Sequence, residues 1–312
     1  MTEPLDEHAG ATELRRNAIS GKWTVLVPKR GERPTDVGDA RPACPFCPGN
    51  EGLTPPEADA FRDPPAAADS PGWRVRVVPN KYSAFAGGHE VIVHSPSHDA
   101  QIEELTLDQV ADVVRMYQRR VDFHLQAGAR AVTVIANRGA AAGSSLAHPH
   151  SQVFATPMLP SLLHDELDEF ARFRNRYGAC LMCEAVAGAD EAPSHLVFDG
   201  PVVAWTPEAS RFAYEVWLAP AEHEADFRRA AAPDVAGALR RALSAIARVT
   251  AGAPLNYWLH TAPNDLTGPF HWHIEIAPRL TTLAGFELGT DIAIAIVDPE
   301  QAARELRAAA AG

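Results

Sequence analysis

One order of residue types runs twice along this chain, and any fold must satisfy it twice. In the first pass Cys44-Pro45-Phe46-Cys47 is followed by His94-Ser95-Pro96-Ser97-His98 and then by His148-Pro149-His150. In the second pass Cys180-Leu181-Met182-Cys183 is followed by Leu218-Ala219-Pro220-Ala221-Glu222-His223, with one residue of slack, and then by His271-Trp272-His273. The later spacings agree closely, with 50 residues from His98 to His148 and 48 from His223 to His271. A chain of 312 residues is long enough for two ordinary domains. The repeat divides it into residues 1–160 and 161–312.

Each pass offers two thiolates and two imidazoles, the donor set of a closed tetrahedral zinc site. The pairs lie too far apart for a local finger, so tertiary structure has to bring them together. Cys44 and Cys47 sit in a Pro/Gly-rich stretch that suits a metal knuckle better than a redox motif between strand and helix. The first twenty residues carry Glu3, Asp6, Glu7 and Glu13 and no apolar core, so no secretory leader is expected. The cysteines are therefore expected as metal ligands in a cytoplasmic protein, with two zinc ions per chain. A net charge of −12 argues against a broad nucleic-acid surface, and no apolar run is long enough for a membrane span.

Periodicity predicts an α+β chain. Strands are expected at residues 23–27, 73–78, 89–94, 131–136, 201–205, 214–218, 255–260 and 292–297, and residues 52–72 read as an irregular loop. Thr106 and Gln109 make a capping-box start for a helix of about five turns, with Val110, Val113, Val114, Tyr117 and Val121 at helical spacing. Further helices are expected over residues 161–176, over 234–249 with Val235, Leu239, Leu243 and Ile246 on one stripe, and after Pro299.

Chemistry concentrates at Ser144-Ser145-Leu146-Ala147-His148-Pro149-His150-Ser151-Gln152. In an extended chain, period-two alternation puts His148, His150 and Gln152 on one face. If His148 is a metal ligand, His150 is left as a free imidazole, a competent nucleophile toward phosphorus. Gln152 can donate to a phosphoryl oxygen as charge builds, and Ser144, Ser145 and the 139–143 loop can bring donors near a phosphate. A catalytic zinc with an open position is the weaker alternative, because four ligands are already at hand. His8, His124, His164 and His195 read as surface or helix positions without a partner. His89 and His94 read as structural strand residues, and His260 is left open.

These motifs resemble the galactose-1-phosphate uridylyltransferase family, a two-module branch of the histidine-triad superfamily. The likeness rests on Cys44-Pro45-Phe46-Cys47, Val78-Pro79-Asn80-Lys81-Tyr82, Ser95-Pro96-Ser97-His98, Asn137-Arg138-Gly139-Ala140, residues 143–152, residues 271–278 and Gly285-Phe286-Glu287. It implies two tandem histidine-triad-like modules of antiparallel sheet with helices packed on them. It also implies ping-pong transfer: His150 takes the uridylyl group of UDP-glucose and passes it to galactose 1-phosphate. Gln152 supports the intermediate, Ser145 lies beside the phosphates, and Arg30, Arg33, Asn80, Asn137 and Ser144 contact the nucleotide or its phosphates.

The resemblance assigns zinc to Cys44, Cys47, His98 and His148. It implies a homodimer in which Gly285, Phe286 and Glu287 serve the neighbour's hexose site. For the second metal, either Cys180, Cys183, His223 and His271 or Glu166, His260, His271 and His273 are implied. Ser151, Ser144 and Ala293 depart from the transferase pattern, and Ser151 is as in the ADP-glucose phosphorylase branch, so that activity is the alternative. A non-catalytic zinc protein that binds nucleotides is the reading from another class.

Overall fold

The computed structural model describes residues 13–18, 20–26, 43–63, 66–191 and 194–312. Arg30 and Arg33 lie outside the described residues. A hairpin of β1 (Glu13–Arg16) and β2 (Trp23–Leu26) stands apart as a two-stranded sheet. The remaining strands are β3 (Asp59–Arg62), β4 (Trp73–Pro79), β5 (His89–Val93), β6 (Ala131–Arg138), β7 (His150–Thr156), β8 (Leu196–Phe198), β9 (Val202–Trp205), β10 (Val216–Pro220), β11 (Leu255–His260) and β12 (His273–Pro278). They form one antiparallel ten-stranded sheet in the order β3-β4-β5-β7-β6-β11-β12-β10-β9-β8.

That order expresses the duplication. Strands of the first pass fill one end of the sheet and those of the second pass fill the other. β5, β7 and β6 correspond to β10, β12 and β11, arranged in reverse, so the two sets are related by a pseudo-two-fold axis between β6 and β11. The junction is antiparallel, as such an axis requires, with Asn137 opposite Asn256 and Ile135 opposite Trp258.

The two long helices also correspond. α1 (Leu107–Gln126) begins where the Thr106 side chain accepts from the Gln109 N–H at 3.2 Å, and α4 (Ala232–Val249) carries Pro233 in its first turn. Val110, Val114, Tyr117 and Val121 of α1 share a core with Val235, Leu239, Leu243 and Ile246 of α4. Both stripes pack on one sheet face, supplied by Val132, Val134, Val153, Leu259 and Ile274. Each such fully buried side chain contributes about 1.5–3 kcal/mol. Alternation along β7 then leaves His150, Gln152 and Phe154 on the opposite face. α2 (Ser161–Tyr177) and α3 (Leu181–Glu191) build a second core with Phe170, Met182, Val186, Trp205 and Phe270. α5 (Gly285–Thr290) and α6 (Pro299–Ala310) close the chain, with Asp298 capping α6. Among the described residues no helix is long and apolar enough to cross a membrane.

Three expectations fail. Residues 292–297 form no strand: Ile292, Ile294 and Ile296 are all exposed, and no described strand lies alongside them to complete a ladder. The stretch read as a loop over residues 52–72 contains β3, an edge strand held by β4. His124 lies on a helix as read but is not without a partner: it is buried, with its Nε2 3.1 Å from the Glu90 carboxylate, which also takes two hydrogen bonds from Arg120 at 2.6 and 2.8 Å.

Burial alone would raise the Glu90 carboxyl, but His124 and Arg120 reverse this and hold it below its ordinary 4.5. A depressed carboxyl contributes stability that is complete above its unfolded pKa and is lost as pH falls through the folded one. Acid unfolding should therefore steepen below about pH 4.5. Glu90→Gln should flatten that limb in urea titrations run across pH, and an unchanged limb would remove Glu90 from the account.

Candidate active site

Cys44 and Cys47 occupy a tight turn before β3. The Cys47 N–H donates to the Cys44 carbonyl at 3.2 Å, and Asn50 donates to the same carbonyl from its side chain at 2.9 Å. His98 follows β5 and His148 immediately precedes β7, so the fold brings this thiol pair to the mouth of the strand that bears His150. One donor atom from each of the four residues lies within 4.8 Å of every other. Sulfur and nitrogen on adjacent corners of a zinc tetrahedron stand about 3.6 Å apart. The His148 Nδ1 lies 3.7 Å from each sulfur, and the His98 Nδ1 lies 3.2 Å from Cys47.

The second group repeats this. His271 Nδ1 is 3.9 Å from the Cys180 sulfur and 3.6 Å from that of Cys183, with His223 Nδ1 3.5 Å from Cys183. Burial pushes the Cys44 thiol up to about 11 and that of Cys183 to about 12, while it pushes His148 and His271 down to about 4. Neutral imidazoles are ready ligands, and a divalent cation offsets the cost of buried thiolates. Both groups fit a metal on these grounds.

The alternative ligand set proposed from sequence, Glu166 with His260, His271 and His273, does not assemble as such. His271 belongs to the cysteine group. His273 turns instead toward Glu166, His260 and Glu275, a third group that could hold a metal. Glu166 Oε2, His260 Nδ1, His273 Nε2 and Glu275 Oε1 are all buried without a hydrogen bond, although His260 and Glu166 approach to 3.0 Å. His271, two residues before β12, and His273, its first residue, thus serve different groups.

Carbonyl groups fix the tautomers, because a carbonyl only accepts. His148 Nε2–H donates to the Ser95 carbonyl at 2.9 Å, which turns Nδ1 to the sulfurs. His150 Nδ1–H donates to the His148 carbonyl at 2.8 Å, so its Nε2 carries the lone pair. His150 lies with Asn137, Ser144, Ser145 and His148 along a cleft of about 630 Å³. Gly139 lines the cleft at φ +80°, where a Cβ would meet Pro254 at 3.0 Å, and Gly143, just before Ser144, turns at φ +81°. Gly285, Phe286 and Glu287 open α5 outside that cleft, with Phe286 exposed.

A residue read from sequence as structural proves to belong here. The Ala84 N–H donates to His89 Nδ1 at 2.9 Å, which places the ring proton on Nε2. That Nε2–H donates to Gln152 Oε1 at 2.9 Å. Asn80, its own oxygen held by the Tyr82 N–H at 2.8 Å, brings its amide nitrogen within 3.0 Å of His89 Nε2 and 3.4 Å of the same Oε1. Two donors on Oε1 leave the Gln152 amide N–H groups to face away from them. His89 stacks on Phe154, with ring centroids 4.1 Å apart. Strand alternation puts His89 on this face, but only the β5–β7 register makes it Gln152's neighbour. Asn256 was also missed. Its Nδ2 donates to Asn137 Oδ1 at 2.7 Å, and its own Oδ1 accepts from Arg279 Nε at 2.5 Å.

Residues 80–160 match the family model for the galactose-1-phosphate uridyl transferase N-terminal domain. An ADP-glucose phosphorylase of Arabidopsis thaliana is 31% identical over 334 residues, covering 95% of this chain and 92% of that protein. The chain belongs to the galactose-1-phosphate uridylyltransferase family. A galactose-1-phosphate uridylyltransferase of Thermotoga maritima is 28% identical over 95% of this chain and 98% of its own length. Among solved structures, the Arabidopsis ADP-glucose phosphorylase with bound ADP-glucose matches at 30% identity with a TM-score of 0.76, covering 95% of this chain and 99% of its own. A uridylyltransferase matches at 25% identity with a TM-score of 0.81, over 96% and 98%.

Proposed function

We propose that the chain is a nucleotidyltransferase that moves the uridylyl group of UDP-glucose to a hexose 1-phosphate, galactose 1-phosphate foremost, through His150. The observation that carries this is the pair of opposed tautomers at His148 and His150. One imidazole is committed to the cysteine group and the next presents an Nε2 lone pair in the cleft.

His150 Nε2 attacks the α-phosphorus and forms a P–N bond. The bond to the bridging oxygen breaks, and its electron pair leaves with glucose 1-phosphate. A phosphate oxygen of galactose 1-phosphate then attacks phosphorus, the P–N bond breaks, and Nε2 regains its pair. Phosphate is a good leaving group, so neither step needs a proton on Nε2. Gln152, oriented by His89 and Asn80, gives its amide N–H to a non-bridging oxygen, where donors count most as charge builds. Ser144, Ser145 and Asn137 lie along the same cleft and supply further polar contacts, and Arg30 and Arg33 are candidates for the phosphates. Residues 1–160 are the catalytic module and residues 161–312 the supporting one.

Thiolate and imidazole donors select zinc, two ions per chain, with Cys44, Cys47, His98 and His148 holding one and Cys180, Cys183, His223 and His271 the other. The ion's part is structural, fixing the entry to each His-bearing strand. Exposed Phe286, with Leu288 beside it, supports a homodimer in which residues 285–287 reach a neighbour's hexose site. Its soluble substrates suit a cytoplasmic enzyme.

A second reading keeps the chemistry and changes the substrates: AMP moved from ADP-glucose to phosphate. The 31% identity to the Arabidopsis phosphorylase favours it, as does the assembled Cys180/Cys183 group. Incubation with labelled UDP-glucose and ADP-glucose, followed by mass spectrometry under non-acidic conditions, decides between them. A UMP adduct supports the first reading and an AMP adduct the second, and an adduct that persists in His150→Ala refutes both.

His89→Phe keeps the ring on Phe154 but removes the N–H. Transfer should slow about tenfold or more, with KM and Tm little changed, and an unchanged kcat would show that Gln152 does not depend on His89. Elemental analysis should find close to two zinc ions per chain. Cys180→Ser with Cys183→Ser should remove one and lower Tm more than kcat. Retention of both would move the second ion to the Glu166 group.

A further inference from the structure

An arginine that no motif signalled stands over the junction of the two sheet halves. Asn137 sits opposite Asn256, and Asn256 sits opposite Ala277 of β12. Ala136 pairs with Ser151, so Asn137 lies beside His150 in the same row across the sheet. Ala277 presents only a methyl group, and Arg279, two residues on, folds back to donate its Nε to Asn256 Oδ1 at 2.5 Å. Asn256, which holds the Arg279 Nε, thus lies two strand spacings, about 10 Å, from His150, with the Arg279 backbone one strand farther.

The charge balance there is unusual. Arg211 and Arg279 share the Phe212 ring, their guanidiniums 5.9 Å and 4.7 Å from its centroid. Arg211 is paired with Glu275 at 2.8 Å. Among the described residues Arg279 has no carboxylate partner, and of its side chain only Nε is hydrogen-bonded. Its burial and the neighbouring positive charge of Arg211 both lower its pKa. A half-buried cation facing another cation, with both terminal amines unspent, is costly unless an anion completes it. In a chain of net charge −12 it is not one member of a general basic surface. A planar fork held through Nε is suited to bidentate binding of a phosphate.

We infer that Arg279, with Arg211 behind it, forms the subsite for the phosphate that departs with the sugar in the first half-reaction and for the phosphate that attacks in the second. This rests on the nucleotidyl-transfer reading, and it holds whether the acceptor is a hexose 1-phosphate or inorganic phosphate. The α-phosphoryl group stays at His150 in both half-reactions, while the phosphate at Arg279 comes and goes. Arg279 therefore governs the exchange of partners rather than the making of the P–N bond.

The test uses the metal-loaded full chain and inorganic phosphate as probe, followed by ³¹P NMR line broadening and calorimetry. Arg279→Gln should weaken phosphate binding roughly tenfold or more, the worth of a charge-assisted hydrogen bond. It should raise KM for the acceptor phosphate by a similar factor with Tm retained. Arg279→Lys should recover part of the loss, since it keeps the charge and not the fork, and it carries the test if the Gln variant does not fold. Phosphate affinity and acceptor KM unchanged in the folded variant would overturn the assignment. The nucleotidyl-His150 adduct in the wild-type protein is scored separately. Arg279-dependent phosphate binding without an adduct would leave the subsite standing and remove the transfer reading. An adduct with an indifferent Arg279 would do the reverse.

Discussion

A backbone carbonyl accepting from an imidazole is the interaction on which the site depends. At the mouth of β7 the Ser95 carbonyl takes Nε2–H of His148, and the His148 carbonyl takes Nδ1–H of His150. Two histidines one residue apart are thereby held as opposite tautomers. One is turned to sulfur and the other presents its nitrogen to the cleft. Neither tautomer requires a carboxylate partner, because each ring proton goes to a carbonyl. At β12 the same two bonds recur, from His271 to the Pro220 carbonyl at 3.1 Å and from His273 to the His271 carbonyl at 3.1 Å.

The second copy of that arrangement has different surroundings. Gln152 on β7 is matched by Glu275 on β12, and the carboxylate lies 3.7 Å from His273 Nε2. Burial opposes a charge on His273, yet Glu275 and Glu166 raise its pKa. Trp217 lies flat against the ring, with centroids 5.1 Å apart and planes within 9°. An imidazole so enclosed and so close to negative charge is a poor nucleophile toward an anionic phosphate ester. The two ends of one sheet, built alike, thus differ in chemistry through an amide at 152 and a carboxylate at 275 with the partners each has.

Much of this was legible in the sequence because it is written in local order. Cys-x-x-Cys turns, alternate histidines and amphipathic stripes such as Val110 to Val121 declare themselves without a partner strand. The unread parts all depend on register between distant segments. His89 becomes part of the site only because β5 aligns it against Phe154 next to Gln152. Asn256 reaches Asn137 only because β11 joins β6, and His124 finds Glu90 only across the α1–β5 contact. Strand-like alternation over residues 292–297 fails for the converse reason: the pattern is present and the neighbour is not. The choice between the two candidate sets for the second metal could not be made from types and spacing, since His271 and His273 differ only in which way each ring is turned.

The β6–β11 pairing has one more consequence. A module cut at the end of the first pass would expose the whole edge of β6, a row of unpaired backbone donors and acceptors that already runs antiparallel to its counterpart about a two-fold axis. Such an edge is self-complementary, and two copies could join through it into the sheet seen here. Carrying both copies in one polypeptide replaces an encounter that depends on concentration with one set by tether length. It also lifts the requirement that the copies stay identical. In a fused pair one side can carry Gln152 where the other carries Glu275, and Asn256 can reach Asn137 across the boundary.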